Sequence, residues 1–488
     1  MKKYLLGVDV GSSSEKVAVF DTDGSILALA KADYPTYTER EGWYEQDAED
    51  YYKAFLECLD AIDGELLSSV AAIGFGGQTP TDVFVDKDGV PVRRAIMWRD
   101  TRASAQLERQ KERYSFAELE NMSGCPIPKS QNWTTLRMAW VKDNEPENAT
   151  RIYKVLQAKD YLIYKITGKL VTDLWSARPF KNINTGEPLD ELLGFFCYER
   201  TVIPEAFKAS DVCGEVTDKE SEKRGLPLGT KVICGCSDGF TSILSSGLFA
   251  EEGVGFNCTG TSEMAGVTVA GESRSDGMFI FPESLTGERA VCFGPTQSGG
   301  TSLLWFAKEV LGISYPELIE RAEGSVAGAN GLVFLPYIAG ERAPIWDGEA
   351  KGSFFGIRES HTDCDFARSV LEGVAFSIRN LFEASGEKAP RRIRLIGGGS
   401  QVPLWCQIRA DILGADIEIV DCKEACAQGG AAIAGIGIGL FESYSDAARK
   451  MCKVSRVYTA NPENADTYAR NYKIYKALYG ATKELMHL

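Results

Sequence analysis

The sequence predicts an α/β protein of two related domains, each built on a mixed sheet. Three observations carry this. The chain's 488 residues exceed the ~100–200 of one domain and fit two large domains or three smaller ones. The first hundred residues alternate short apolar runs with one amphipathic segment. The stretch LLGVDVGSSSEKVAVF near the start is echoed by VGFNCTGTSEMAGVTV after Gly253. Both read apolar strand, small polar residue, Gly, two hydroxyl residues, Glu, apolar strand. Gly11-Ser12-Ser13 thus matches Gly260-Thr261-Ser262, which places the division near residue 246, into 1–246 and 247–488.

In order, Leu5 to Asp9 reads as a buried strand and Val17 to Phe20 as a second. Asp21-Thr22-Asp23-Gly24 is a turn, and Ile26 to Ala30 a third strand. A helix capped by Asp47 puts Tyr51, Phe55, Leu59 and Ile62 on one face. Ala71 to Phe75, Asp82 to Asp86 and Ala95 to Trp98 follow as strands. Three meandering strands, a crossover helix and a further strand make a mixed sheet, unlike a plain parallel dinucleotide fold. Roughly 100–225 is more helical and irregular, as insertion or lid material. Strand logic resumes at KVICGC (231–236), followed by an apolar helix from Phe240 to Leu248. The second half carries an amphipathic helix, Phe366 to Phe382, whose inward residues serve the core. Arg392 to Ile396 is a strand, Pro403 to Leu413 a helix, Ile417 to Val420 a strand, and a small-residue helix starts at Ala425.

Composition narrows the function. Lys and Arg total 53 against 69 Asp and Glu, a formal charge of −16, which argues against nucleic acid or an anionic membrane as partner. No apolar run approaches the ~18 residues of a membrane span. The 13 cysteines are scattered singly, without a zinc spacing, and read as reduced cytoplasmic thiols. With two histidines, His361 and His487, acid–base chemistry falls to carboxylates.

Gly11-Ser12-Ser13-Ser14 offers backbone N–H and hydroxyl groups to one point, which suits phosphate oxygens; a plain β-turn is the alternative. One such loop per domain converges better on a polyphosphate. Gly397-Gly398-Gly399 at a strand end admits a flat ligand against the backbone. A dinucleotide fingerprint fits there less well, because its third glycine is Val402. Asp9 ends the first strand, where a carboxylate suits Mg²⁺ or its water shell. Asp238 precedes a helix at a strand end, where a carboxylate suits a general base. For each, helix capping or turn hydrogen bonding is the competing role.

The chain resembles the FGGY carbohydrate kinases, and among them is most similar to xylulokinases. GVDVGSSSEKVAVFD resembles their N-terminal phosphate motif. GWYEQDAEDYY, GFGGQTPTDVFVD and AIMWRDTRA follow in the order of the sugar-side segment. SDG at 237–239, GTS at 260–262, LPYIAGERAPIWD at 335–347, GSFFGIRESHTDCDFARSVLE at 352–372 and LIGGGSQVPLWCQIRADILG at 395–414 continue the match. NWTTLRMAWVKDN at 132–144 fits less well: Arg137 replaces a Lys and Asn132 a small or aromatic residue.

The resemblance implies two ribonuclease-H-like domains of the actin and hexokinase type with a cleft between them, and ATP with Mg²⁺ as cofactors. It implies phosphorylation of a small sugar or polyol, first a ketopentose such as xylulose, with gluconate, a tetritol or glycerol as alternatives. A non-catalytic sugar or nucleotide sensor is the competing class. Asp238 matches the catalytic base and Asp9 the metal-side aspartate. Gly11, Ser12, Ser13, Gly260 and Thr261 would embrace the phosphates, with Gly300, Gly398 and Gly399 along the adenosine. Gln78, Thr79 and Asp238 fall on the substrate side. Thr79-Pro80 stands where xylulokinases have Met-His, and Gly239 where they have Asn, and those losses bear on the acceptor. A homodimer is left open as the assembly.

Overall fold

The computed structural model describes residues 3–270, 277–386 and 389–488. One compact unit comprises Met1–Ser245, Phe281–Glu288 and Glu424–Cys452. The other comprises Ser246–Ile280, Arg289–Lys423 and Lys453–Leu488. The first unit takes two segments from the second half of the chain, whereas the second lies wholly beyond residue 245, so no single cut expresses the division.

In the first unit β1 (Tyr4–Val10), β2 (Ser14–Phe20) and β3 (Ile26–Asp33) form an antiparallel meander. Helix α1 (Ala48–Asp60) begins where the Asp47 side chain accepts from Glu49 N, and it buries Tyr51, Phe55 and Leu59. It carries the chain over to β4 (Val70–Gly77), which lies parallel to β1, as a parallel neighbour requires a crossover. The strands β5 (Val212–Glu215) and β6 (Lys231–Ile233) complete the order β5-β6-β4-β1-β2-β3. KVICGC does not run as one strand. Gly235, at φ +71°, breaks it where a Cβ would lie 2.0 Å from Phe75 O. Beyond the bend β7 (Cys236–Ser237) rejoins β4, and α2 (Asp238–Ser245) starts at once. The segment between β4 and β5 is largely helical and encloses a separate apolar cluster around Trp133, Leu136, Val141 and Phe180.

The small-residue helix Ala425–Gly437 belongs to this unit, and its composition has a geometric cause. Gly7 and Gly74 are register partners on β1 and β4. A Cβ on Gly7 would sit 1.9 Å from Ala427 O, and one on Gly74 2.0 Å from Gly430 O. The helix therefore lies backbone against sheet, and neither surface has room for larger groups.

The second unit repeats the first. β8 (Val254–Thr259), β9 (Glu263–Val269) and β10 (Ala290–Pro295) form the meander. β11 (Arg392–Gly397) lies parallel to β8 and β12 (Asp416–Val420) parallel to β11. β13 (Val454–Tyr458) closes the edge antiparallel. Six strands of its seven-stranded sheet, in the order β10-β9-β8-β11-β12-β13, reproduce β3-β2-β1-β4-β6-β5 strand for strand and in direction. The helix Asp363–Ala384 buries Ala367, Val370, Leu371, Val374, Ala375 and Ile378, the inward set that its spacing predicts.

Candidate active site

The two echoed segments are the same device. Three residues, Gly11–Ser13, join β1 to β2, and three, Gly260–Ser262, join β8 to β9. In each loop the carbonyls are tied back into the protein. Gly11 O accepts from Tyr34 Oη (2.5 Å) and Gln78 Nε2 (2.9 Å), and Ser12 O from Gln46 Nε2 (2.9 Å). Gly260 O accepts from Gly300 N (2.9 Å), while Thr261 O accepts from Gly299 N (2.9 Å) and Thr301 Oγ1 (2.8 Å). The amides of Ser12, Ser13, Thr261 and Ser262 donate to nothing among the described residues. Paired amides with no acceptor at the tip of a tight loop form an anion cradle.

In the first unit Asp9 lies on β1 opposite Gly76 of β4, and Gly76 lies opposite Cys236 of β7. Asp238 follows two residues later as the first residue of α2. Both aspartates thus stand at one end of the sheet, with a side-chain-free glycine between their strands. Burial, with the Asp9 charge adding to it, pushes the Asp238 carboxyl up to about 7. Burial also raises Asp9, opposed by a hydrogen bond from Cys426 and by Lys16. A carboxylate poised near neutrality in such a place suits proton abstraction. The donor chemistry fits a divalent cation at Asp9, where positive charge would relieve two crowded carboxyls. Magnesium is commonly held by one or two carboxylates, with water and phosphate oxygens completing its shell.

Gln78 and Thr79 flank this end of the sheet. Gln78 is 1% exposed and its amide is fully engaged: Nε2 also donates to Gln46 Oε1 (2.8 Å), and Oε1 accepts from Thr81 Oγ1 (3.1 Å). Its observed contacts hold the glycine–serine loop. Tyr34, Gln46 and Trp98, whose Nε1 donates to Ser12 Oγ (2.9 Å), act on the same loop. None of these three stood out in the sequence, since their partners lie 23, 34 and 86 positions away. Arg137 also gains a reason. Its fork binds Asp82 Oδ2 (2.8 Å), Pro80 O (2.9 Å) and Asn132 O (3.0 Å), three acceptors that a lysine ammonium would not span in one plane.

In the second unit Gly260, Thr261, Gly300, Gly398 and Gly399 gather at one strand end. Gly399 N donates to Thr259 Oγ1 (2.8 Å). Gly397, at φ +90°, turns where a Cβ would meet Thr259 O at 2.1 Å. Beside this turn a cavity of about 580 Å³ is lined by Gly397, Ser400, Gln401, Asp421, Lys423 and Arg456, among others.

Residues 4–245 match the N-terminal domain, and residues 256–438 the C-terminal domain, of the FGGY family of carbohydrate kinases. This chain belongs to the FGGY family of carbohydrate kinases. Its fold is the two-domain fold of that family, consistent with actin- and hexokinase-like domains. The chain is 31% identical to the xylulose kinase of Lactococcus lactis over 99% of its own length and 98% of that protein's. Ligand-bound xylulose kinase from Lactobacillus acidophilus is similar in structure, with a TM-score of 0.89, 26% identity and 98% of each chain covered. So is gluconate kinase from Lactobacillus acidophilus, with a TM-score of 0.88, 26% identity and the same coverage. This FGGY kinase is therefore a phosphotransferase acting on a small carbohydrate, with ATP as its co-substrate. No helix among the described residues is long and apolar enough to cross a membrane.

Proposed function

We propose that this kinase moves the terminal phosphoryl group of ATP to a hydroxyl of a small sugar or polyol, with Asp238 as the general base. The carrying observation is a carboxyl raised to about 7 on the sheet end that bears the amide-presenting loop Gly11–Ser13. Asp238 takes the hydroxyl proton as the oxygen bonds to the γ-phosphorus, and the β–γ bridging oxygen leaves with ADP. Phosphoryl transfer asks chiefly for positioning and charge neutralisation, and the two cradles are assigned phosphate oxygens, Ser12 and Ser13 in one, Gly260 and Thr261 in the other. The cavity lined by Gly397 has a volume suited to an adenosine, and Gly398 and Gly399, next in the chain, are assigned to that nucleoside together with Gly300. Asp9 would hold Mg²⁺, which, when bound, neutralises charge building on the phosphates.

Xylulose kinases among the relatives favour a ketopentose such as xylulose as acceptor, and Thr79 is assigned to that side of the site. The test is ADP release coupled to an optical readout across pentuloses, tetritols, glycerol and gluconate. Turnover on at least one upholds the kinase reading. Nucleotide binding without turnover on any of them favours a sensor.

A further inference from the structure

We infer that Arg178 selects the acceptor, and that the acceptor is a sugar acid whose carboxylate Arg178 holds. This rests on the kinase reading above and takes a sugar acid, one of the alternative acceptors, in place of the ketopentose that the relatives favour.

Five arginines are buried among the described residues: Arg137, Arg178, Arg368, Arg394 and Arg409. Four of them meet a carboxylate, respectively Asp82 (2.8 Å), Glu372 (2.9 Å), Glu418 (3.2 Å) and Glu263 (2.5 Å). Arg178 alone meets none within 4 Å. It is 8% exposed, and its guanidinium carbon lies 3.9 Å from the ring centre of Trp175 and 5.0 Å from that of Trp133. One donor is used, Nη1 to Trp175 O at 2.6 Å. Asp173, the one carboxylate that acts on it from nearby, is already engaged by Lys159 Nζ (2.9 Å) and Ser176 N (3.0 Å). Burying a cation without a counter-ion is costly, and indole faces return only part of that cost.

The cage sits in the neighbourhood of the chemistry. Trp133 follows Asn132, whose Nδ2 donates to Trp98 O (2.8 Å), and Trp98 holds Ser12. On the other side Cys236, close enough to act electrostatically on Arg178, precedes Asp238 by two residues. A planar guanidinium with free donors matches a carboxylate in a paired geometry. A neutral ketose would leave the charge uncompensated, and neither Thr79, Pro80 nor Gly239 supplies an anion. An aldonate gives Arg178 its counter-ion at one end and leaves a hydroxyl for Asp238 at the other.

The experiment compares the full-length enzyme with R178K and R178M on xylulose, sorbitol, gluconate and xylonate, reading kcat and KM separately. Calorimetric nucleotide binding reports whether each variant is folded. Wild type should favour an aldonate over the neutral acceptors by at least 100-fold in kcat/KM. R178M should lose roughly 10²–10³ of the aldonate value, mainly through KM, with R178K partly restoring it. A preference for xylulose or sorbitol, or an aldonate preference intact in R178M, overturns the inference and leaves the kinase reading standing. Absence of turnover on every compound overturns the kinase reading instead. Direct titration of gluconate and xylonate then decides this one: binding to wild type but not R178M upholds it, and no binding sinks it.

Discussion

Asp9 and Asp238 flank a bare strand: Gly76 lies opposite Asp9 on one side and opposite Cys236, two residues before Asp238, on the other. Both carboxyls lie at the same end of the sheet, near enough for the Asp9 charge to raise Asp238.

Asp238→Asn should abolish phosphoryl transfer and leave nucleotide binding nearly unchanged. It should also stabilise the fold, with a definite sign. Unfolded Asp238 ionises in the ordinary carboxylate range, whereas folded Asp238 keeps its proton to about 7. The wild type therefore loses stability as pH rises between those values, and the loss is complete above 7. The variant should gain up to about 4 kcal/mol at pH 8 and nothing below the ordinary range. Melting curves at both pH values decide it; equal shifts at each would contradict the assignment.

The pH dependence of turnover runs the other way, since only ionised Asp238 can accept a proton. With the acceptor limiting, kcat/KM should fall about tenfold per pH unit on the acid side. The midpoint should lie above the ordinary carboxylate range. A profile flat down to pH 5 is incompatible with Asp238 as the base.

Asp9→Ala should raise the Mg²⁺ concentration needed for half-maximal rate and lower kcat, read from rates across a metal titration. Removing the Asp9 charge should also move the acid limb of the profile to lower pH. Identical metal dependence in variant and wild type would count against Asp9 as the metal-side residue.

Gly74→Ala should destabilise the first unit severely, by roughly 3 kcal/mol or more, because the new methyl would meet Gly430 O at 2.0 Å and backbone cannot step aside. Gly239→Ala, with nothing within 4 Å of its Cβ, should change stability by no more than about 0.5 kcal/mol. Denaturant titration compares the two.

Much of the architecture was legible because its signals are local. The hairpin echo, the Asp47 cap, the amphipathic helix around Val370 and the strand ends carrying Asp9 and Asp238 each lie within a few consecutive residues. KVICGC misled as a single strand because Gly235 bends only in response to Phe75 O, a neighbour from another strand. The small-residue helix after Ala425 was visible as a helix, but its docking on Gly7 and Gly74 was not. Resemblance placed Gln78 on the substrate side, but the contacts of its amide with Gly11 and Gln46, far away in the chain, were not visible in the sequence.

The order of residues by itself determined the repeated strand pattern, the two glycine–hydroxyl loops and the pair of aspartates. Short-range sterics, periodic burial and turn chemistry decide all of these. Only the tertiary structure decided which loop carbonyls are tied back so that amides face outward, why Asp238 sits near neutrality, and that Arg178 alone among the buried arginines lacks a carboxylate. Those properties come from burial and from partners remote in sequence, and electrostatics in a low-dielectric interior depends on where groups end up, not on the residues beside them.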